Sequence, residues 1–439
     1  MKKLLLSLSL IALSSTINAQ WTSQFTGFAD DSRGLNQIKI VDANTVWALA
    51  YDGSGAAANV QEFTRTTNGG ASWSAGVVDL GNPDLEINNI SAVSATTAWV
   101  SALVPADGNG VIFKTTDGGA SWNQQLSTGF QTTGASFLNS VYFFNENVGI
   151  AYGDPTGSGL GEFEVYRTTD GGDNWTQISA AALPNPLSGE YGYNNTPIAV
   201  GNTLWFTTNK GNLLRTDDAG ITWTKAQAPL TDFGSAAQSG TVIFSSETNG
   251  YLLKTVGTTY TFYTTSNGGT TWSAAAAFTG TRRLLTYIPG TTTIVATSAA
   301  VPVGTSVSTD NGTTWTDVES GAQRGVSSFL NATTGWCAGF SGALVDGVFK
   351  LTSPLATTTV TATAKFRIYP NPATSTVTIS ATDVDSYKLS VTDLTGKTVM
   401  TKSLNGMENN VDVSALSSGA YFFELSSENK REVVKILKN

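Results

Sequence analysis

The chain has 439 residues, 40% of them hydrophobic and only 13% charged, with 45 Gly, 11 Trp, one Cys and no His. Without histidine there is no Ser-His-Asp or Cys-His relay and no imidazole-ligated zinc, and a lone cysteine excludes an internal disulfide, a Cys-rich zinc site and an iron–sulfur cluster. The net charge of −9 lacks the basic footprint that nucleic acid or an anionic membrane requires, so neither is expected as a partner.

In chain order, residues 1–19 read as a signal peptide: Lys2 and Lys3, an apolar run from Leu4 to about Leu13, then a polar stretch closing with Ile17-Asn18-Ala19 before Gln20. The run is too short to span a bilayer, and no later segment approaches about 18 consecutive apolar residues, so a chain without a transmembrane segment is expected to leave the cytoplasm. Losing Lys2 and Lys3 leaves 22 basic against 33 acidic side chains, a net −11.

Residues 20–352 are built on a repeat. Six copies of one turn motif occur: Thr66-Thr-Asn-Gly-Gly-Ala-Ser-Trp73, Thr115-Thr-Asp-Gly-Gly-Ala-Ser-Trp122, Thr168-Thr-Asp-Gly-Gly-Asp-Asn-Trp175, Thr216-Asp-Asp-Ala-Gly-Ile-Thr-Trp223, Thr265-Ser-Asn-Gly-Gly-Thr-Thr-Trp272 and Ser308-Thr-Asp-Asn-Gly-Thr-Thr-Trp315. Their tryptophans lie 49, 53, 48, 49 and 43 residues apart. Asp or Asn can accept bonds from backbone N–H groups further along the turn, Gly supplies the positive φ, and Thr and Trp start the next strand. About twenty residues upstream of each box runs an apolar strand: Val46-Trp-Ala-Leu-Ala50, Ala98-Trp-Val-Ser-Ala102, Val148-Gly-Ile-Ala-Tyr152, Leu204-Trp-Phe206, Gly250-Tyr-Leu-Leu253 and Thr293-Ile-Val-Ala296, with a seventh such strand, Gly335-Trp-Cys-Ala338, that has no box. A repeat of this length with about four short strands is one propeller blade. The turn motif resembles the Asp-box (BNR) repeat of sialidase-like, sortilin-like and photosystem II assembly-factor-like β-propellers, and the resemblance implies that the boxes, with Asn68, Asp117, Asp170, Asp218, Asn267 and Asp310, are structural and lie away from the active face.

The missing seventh box has a geometric reading. Trp21-Thr-Ser-Gln-Phe-Thr-Gly-Phe28 looks like the strand after the second box, which predicts that the N-terminal segment supplies the outer strand of the last blade, next to Val348-Phe-Lys-Leu351. Trp21 then completes the box series, and all eleven tryptophans take blade positions, which argues against a carbohydrate-stacking role for any one of them.

Propeller function sits at the channel mouth, on loops and the starts of inner strands. Arg33, Arg282, Arg283 and Arg324 stand before inner strands of blades 1, 6 and 7, which are neighbours in a closed ring, and could form one basic patch for a carboxylate or an acidic partner. The longest loops, Gly153–Glu162 and Leu183–Asn195, bring Asp154, Glu190, Tyr191 and Tyr193. Asp154 and Glu190 are the candidate carboxylate pair for glycosidase chemistry, which needs a separation of about 5–10 Å. No metal site and no cofactor motif is expected, since one carboxylate per repeat cannot converge and no Gly-rich phosphate loop occurs. A protein or glycan ligand at the mouth is the expected partner, with a sialidase-like glycoside hydrolase or lyase as the alternative.

Residues 353–365 are a Thr/Ala-rich linker. Residues 366–439 alternate as strands of a small β-sandwich, with eight basic and eight acidic side chains, so the whole −11 falls on residues 20–365. Tyr369-Pro-Asn-Pro372, Asp393-Leu-Thr-Gly-Lys397, Val413-Ser-Ala-Leu-Ser-Ser-Gly-Ala-Tyr421 and Val434-Lys-Ile-Leu-Lys438 resemble, in order and spacing, the C-terminal sorting domain of the type IX (Por) secretion system. That resemblance implies handling by the type IX machinery and passage through the periplasm to the outside or the outer cell surface. The expected fold is therefore all-β: a seven-bladed β-propeller followed by a small C-terminal β-sandwich.

Overall fold

The computed structural model describes residues 20–54, 59–104, 109–125, 129–130, 136–156, 161–194, 196–339, 347–352, 366–381, 386–394, 397–427 and 430–439. The signal peptide and linker expected at 1–19 and 353–365 lie outside the described residues. The chain divides into two units near residue 356.

The first unit opens with β1 (Trp21–Phe25). Seven four-stranded antiparallel sheets follow among the described residues. The first is β2 (Arg33–Ile40), β3 (Val46–Asp52), β4 (Glu62–Thr66) and β5 (Ser74–Val77), and the second β6 (Glu86–Ala92), β7 (Ala98–Leu103), β8 (Gly110–Thr115) and β9 (Asn123–Gln124). The third is β10 (Leu138–Phe143), β11 (Gly149–Pro155), β12 (Phe163–Thr168) and β13 (Thr176–Gln177), and the fourth β14 (Ile198–Val200), β15 (Thr203–Thr207), β16 (Asn212–Thr216) and β17 (Thr224–Gln227). The fifth is β18 (Ser239–Phe244), β19 (Gly250–Val256), β20 (Thr259–Thr265) and β21 (Ala276–Ala277), and the sixth β22 (Leu284–Tyr287), β23 (Ile294–Ser298), β24 (Gly304–Ser308) and β25 (Thr316–Ser320). The seventh holds β26 (Ser327–Asn331), β27 (Thr334–Ala338) and β28 (Gly347–Leu351), and its outer strand is β1.

This is a propeller. Most neighbouring first strands touch around the centre, including β26 against β2. The seven apolar runs found in the sequence are the seven second strands, and they are apolar on both faces because each is sandwiched between neighbouring sheets. Fourth strands such as Ser74–Val77 are largely exposed at the rim. Seven hydrophobic clusters fill the seven sheet-to-sheet interfaces, the one between the last sheet and the first included: Trp336, Ala338 and Val348 pack there with Leu35, Val46, Ala48 and Trp73.

The six turn motifs fold alike, between third and fourth strands. In the third, Thr168 Oγ1 donates to Asp170 Oδ1 (2.7 Å) and accepts from Gly172 N–H (3.0 Å), while Asp170 receives Asn174 through its backbone N–H (2.9 Å) and side-chain amide (2.8 Å). The other five repeat the pattern, with Asn68 and Asn267 donating their amides to the hydroxyls of Ser72 and Thr271 where the aspartates accept. Two consecutive residues in each turn have positive φ, and the first of them is Ala219 in the fourth and Asn311 in the sixth, at 54° and 59°.

These turns bind the sheets together. A second-strand tryptophan stands directly opposite a third-strand cation in four sheets: Trp47–Arg65, Trp99–Lys114, Trp205–Arg215 and Trp336–Lys350. Each cation stacks on its tryptophan, 5.0 to 5.6 Å from the ring centroid. The pair then reaches the next sheet. Trp99 Nε1 donates to the Gly171 carbonyl (3.1 Å), Trp205 Nε1 to Gly268 (2.9 Å), Arg215 to Asn267 (3.1 Å), and, across the seam, Lys350 Nζ to Gly69 (2.6 Å). Arg167, opposite Ile150, reaches the Ala219 carbonyl in the same way (2.8 Å).

Strand β1 closes the ring as the sequence predicts. It runs antiparallel to β28, with Trp21 opposite Leu351 and Phe25 opposite Gly347. Trp21 is buried, packs against the sixth sheet and donates to Thr305 Oγ1 (3.1 Å), while Gln24 accepts from the first-sheet box residue Trp73 (3.0 Å). Cys337 is a free, buried thiol whose ionisation is opposed by burial.

The second unit is a sandwich of β29 (Phe366–Tyr369), β30 (Thr376–Ala381) and β33 (Glu408–Asp412) on β32 (Thr398–Asn405), β31 (Ser386–Asp393), β34 (Gly419–Ser427) and β35 (Lys430–Lys438). Phe366, Val377, Ile379 and Val411 of one sheet meet Leu389, Val391, Phe423 and Ile436 of the other. β32 carries no apolar alternation, since most of its side chains are exposed.

Two predictions follow from the fold. Trp21→Ala removes a buried indole and its hydrogen bond at the closing strand, and should cost about 3–5 kcal/mol in urea unfolding. The turn hydrogen bonds, those from Ser121 and Asn174 above all, hold Asp117 and Asp170 at about 2, below their ordinary 3.8. A depressed carboxyl adds stability above its unfolded value and loses it as pH falls through the folded one. Asp117→Asn and Asp170→Asn should therefore flatten the loss of unfolding free energy between about pH 4 and pH 2.

Candidate functional site

In an up-and-down sheet the turns after the first and third strands share one end, and the loops after the second and fourth share the other. The six box turns therefore occupy one face. The candidate residues occupy the opposite one: Arg33, Arg282, Arg283 and Arg324 at the starts of first strands, Asp154 at the end of β11, and Glu190, Tyr191 and Tyr193 between β13 and β14.

Glu190 is fully buried and bonded at both oxygens. Oε1 accepts from Thr208 Oγ1 (2.8 Å) and Asn212 Nδ2 (2.7 Å), and Oε2 from Leu187 N–H (2.7 Å) and Lys225 Nζ (3.2 Å). Burial alone pushes its carboxyl up, but the donors from Leu187, Asn212 and Thr208 and the charge of Lys225 outweigh it and hold the group below its ordinary value. It is an anchor for the loop. The signal for this lay in the partners, a hydroxyl, an amide and a cation 18 to 35 residues further along the chain.

Asp154 is tied to the same loop, since its Oδ1 accepts from Gly192 N–H (2.8 Å) and Asn139 Nδ2 (2.8 Å). Burial pushes it up to about 6 against these two bonds. Tyr193 donates to Asp232 (2.5 Å), and burial and then that carboxylate raise its phenol. Tyr191 is exposed and meets the Tyr193 ring edge-on at 5.7 Å.

Three of the four arginines are paired internally. Arg33 lies among Glu62, Asp30 (3.1 Å) and Asp52 (3.7 Å). Arg282 is buried against Asp317, Ser306 and the Val303 carbonyl (3.0 Å). Arg324 grips Glu319 through two nitrogens (2.9 and 2.5 Å) and stacks on Phe349. Arg283 differs: it is exposed, and its guanidinium lies over the Tyr260 ring, 3.7 Å from the centroid.

Arg283 also lines a cavity of about 580 Å³ at the heads of the first strands of sheets four to seven. Its walls include Tyr152, Tyr193, Phe206, Phe233, Leu285 and Val326, with Thr and Ser hydroxyls between them. Neither Asp154 nor Glu190 is among the lining residues. The sequence alone marks Tyr193 and Arg283 but not strand-borne Tyr152 and Phe206, which are core residues at the back of the cavity.

Residues 367–439 match the family model of the secretion system C-terminal sorting domain, which indicates export by the type IX system to the outside or the cell surface. No curated protein matches the chain. The solved structure of YCF48 bound to D1 peptide matches with a TM-score of 0.51 and 14% identity, over 76% of this chain and 97% of that one, and shares the propeller fold. YCF48 from Cyanidioschyzon merolae matches with 0.47 and 16% over 76% and 99%. PorZ, a surface component of the type-IX secretion system of Porphyromonas gingivalis, matches with 0.36 and 12% over 92% of this chain and 66% of that one.

A raised carboxyl favours the fold only while protonated, so the stability that Asp154 contributes falls as pH rises from its ordinary 3.8 to about 6. Asp154→Asn keeps an acceptor oxygen for Gly192 and removes the charge. Its melting temperature should exceed that of the parent at pH 7, with a difference that shrinks as the pH is lowered to about 4.

Proposed function

We propose that this chain is an exported, non-catalytic binding protein: a seven-bladed Asp-box propeller over 20–352 that takes a protein or glycan ligand at its mouth cavity. The signal peptide at 1–19 would start its export and the domain at 366–439 would pass it to the type IX machinery. The observation that carries the reading is the cavity itself, a concave site on the loop face with no carboxylate among the described residues of its lining. The glycosidase alternative has one point in its favour, the elevated carboxyl of Asp154, which suits a general acid. Its partner does not suit the role: Glu190 is saturated by four donors and held ionised, with neither oxygen left for a sugar or a water. YCF48 is solved with a D1 peptide, but a shared fold alone does not carry a ligand across, and the cavity chemistry must decide.

Thr241 is an exposed wall residue on β18. Ligands found for the secreted protein on glycan and peptide arrays should be lost in Thr241→Trp, which fills the cavity, while the melting temperature stays within about 2 °C. Turnover of any array glycan, abolished by Asp154→Asn, would contradict the binding reading. Deletion of 366–439 should hold the protein in the periplasm.

A further inference from the structure

The charge pattern at the mouth narrows the ligand. Among the described residues lining the cavity Arg283 is the one that carries a charge, and no Asp, Glu, Lys, Asn or Gln is among them. Its chain neighbour Arg282 is buried and held by Asp317, Ser306 and Val303, which fixes the backbone from which Arg283 projects. Arg33 and Arg324 also have carboxylate partners, so the structure neutralises every other arginine of the candidate patch.

The stacking geometry matters. A guanidinium lying over a ring engages its face, while its N–H donors radiate in its own plane. Tyr260 thus holds Arg283 in place and leaves the hydrogen-bonding edge for a planar, two-oxygen acceptor. The rest of the wall offers hydroxyls, and two of these are already engaged, Ser327 Oγ donating to Thr286 Oγ1 (3.3 Å) and Thr286 Oγ1 to the Ser327 carbonyl (2.9 Å). Tyr152, Phe206, Phe233 and Leu285 are buried behind the wall, and the apolar surface open to a ligand is that of Tyr193, Ile198, Leu284 and Val326. An apolar body with one anionic end matches the cavity at both ends.

Resting on the mouth-cavity reading above, we propose that the ligand is an apolar or aromatic group bearing a single carboxylate, its body against Tyr193, Ile198, Leu284 and Val326 and its carboxylate bidentate on Arg283. A peptide's terminal carboxylate and a free aromatic acid share this chemistry.

Calorimetric titration of the full secreted protein tests it, with four probes: acetyl-Leu-Phe as the free acid, the same dipeptide as its C-terminal amide, phenylpropionate, and a neutral cello-oligosaccharide. The acid dipeptide should bind at least about 10-fold tighter than the amide, and Arg283→Gln, at an exposed position, should erase that difference with the melting temperature within about 2 °C. Tighter binding by the dipeptide than by phenylpropionate marks a peptide as the source, and the reverse marks a small acid. Equal binding of acid and amide, both blocked by Thr241→Trp, would overturn the carboxylate assignment and leave the mouth site standing. Acid binding that survives Thr241→Trp would overturn both. Binding of the oligosaccharide alone, or of no probe at millimolar concentration, would overturn the carboxylate assignment.

Discussion

A sheet that is apolar on both faces must be covered on both, and in a row of such sheets the first and last each keep one face bare. Closing the row into a ring removes both bare faces. Here the closing interface is built like the other six, with Trp336, Ala338 and Val348 packed on Val46, Ala48 and Trp73. Strand β1 adds a second tie, because it belongs to the last sheet while the residues that follow it enter the first. The two ends of the propeller chain cannot separate without breaking a four-stranded sheet, and the loop-face cavity, walled by residues of five sheets, depends on that closure.

The turn motif serves the ring as much as its own sheet. With two consecutive left-handed residues and a side-chain acceptor, each turn is held rigid, and the carbonyls of Gly69, Gly171, Ala219, Asn267 and Gly268 become fixed acceptors for the neighbouring sheet. Arg167, Arg215 and Lys350 are committed to these carbonyls, and Arg65 to the adjoining Ala95. On a unit with a large acidic excess, Arg283 is the one arginine of the candidate patch that is held by a ring face and given no carboxylate partner.

Much of this is legible in the amino-acid sequence. The spacing of the boxes, the seven upstream apolar runs and the likeness of Trp21–Phe28 to a post-box strand together gave the number of sheets and the exchange at the seam, because repeat period and strand apolarity are local properties. The bonds that run between sheets were not legible, since Lys350 and Gly69 are 281 residues apart and nothing local in either marks the pairing. The fate of the candidate residues was hidden for the same reason. Glu190 looks like a surface loop carboxylate until Thr208, Asn212 and Lys225 fold over it, and Arg282 resembles Arg283 until Asp317 takes one of them.

The central claim, that Trp21–Phe25 is the closing strand of the ring, is tested most directly by native-state hydrogen exchange on the secreted protein. The backbone amides of Trp21–Phe25 should be protected as strongly as those of β27 and β28, exchanging only when the whole propeller opens. Exchange of those amides at the rate of a free terminal tail, with β27 and β28 still protected, would contradict it.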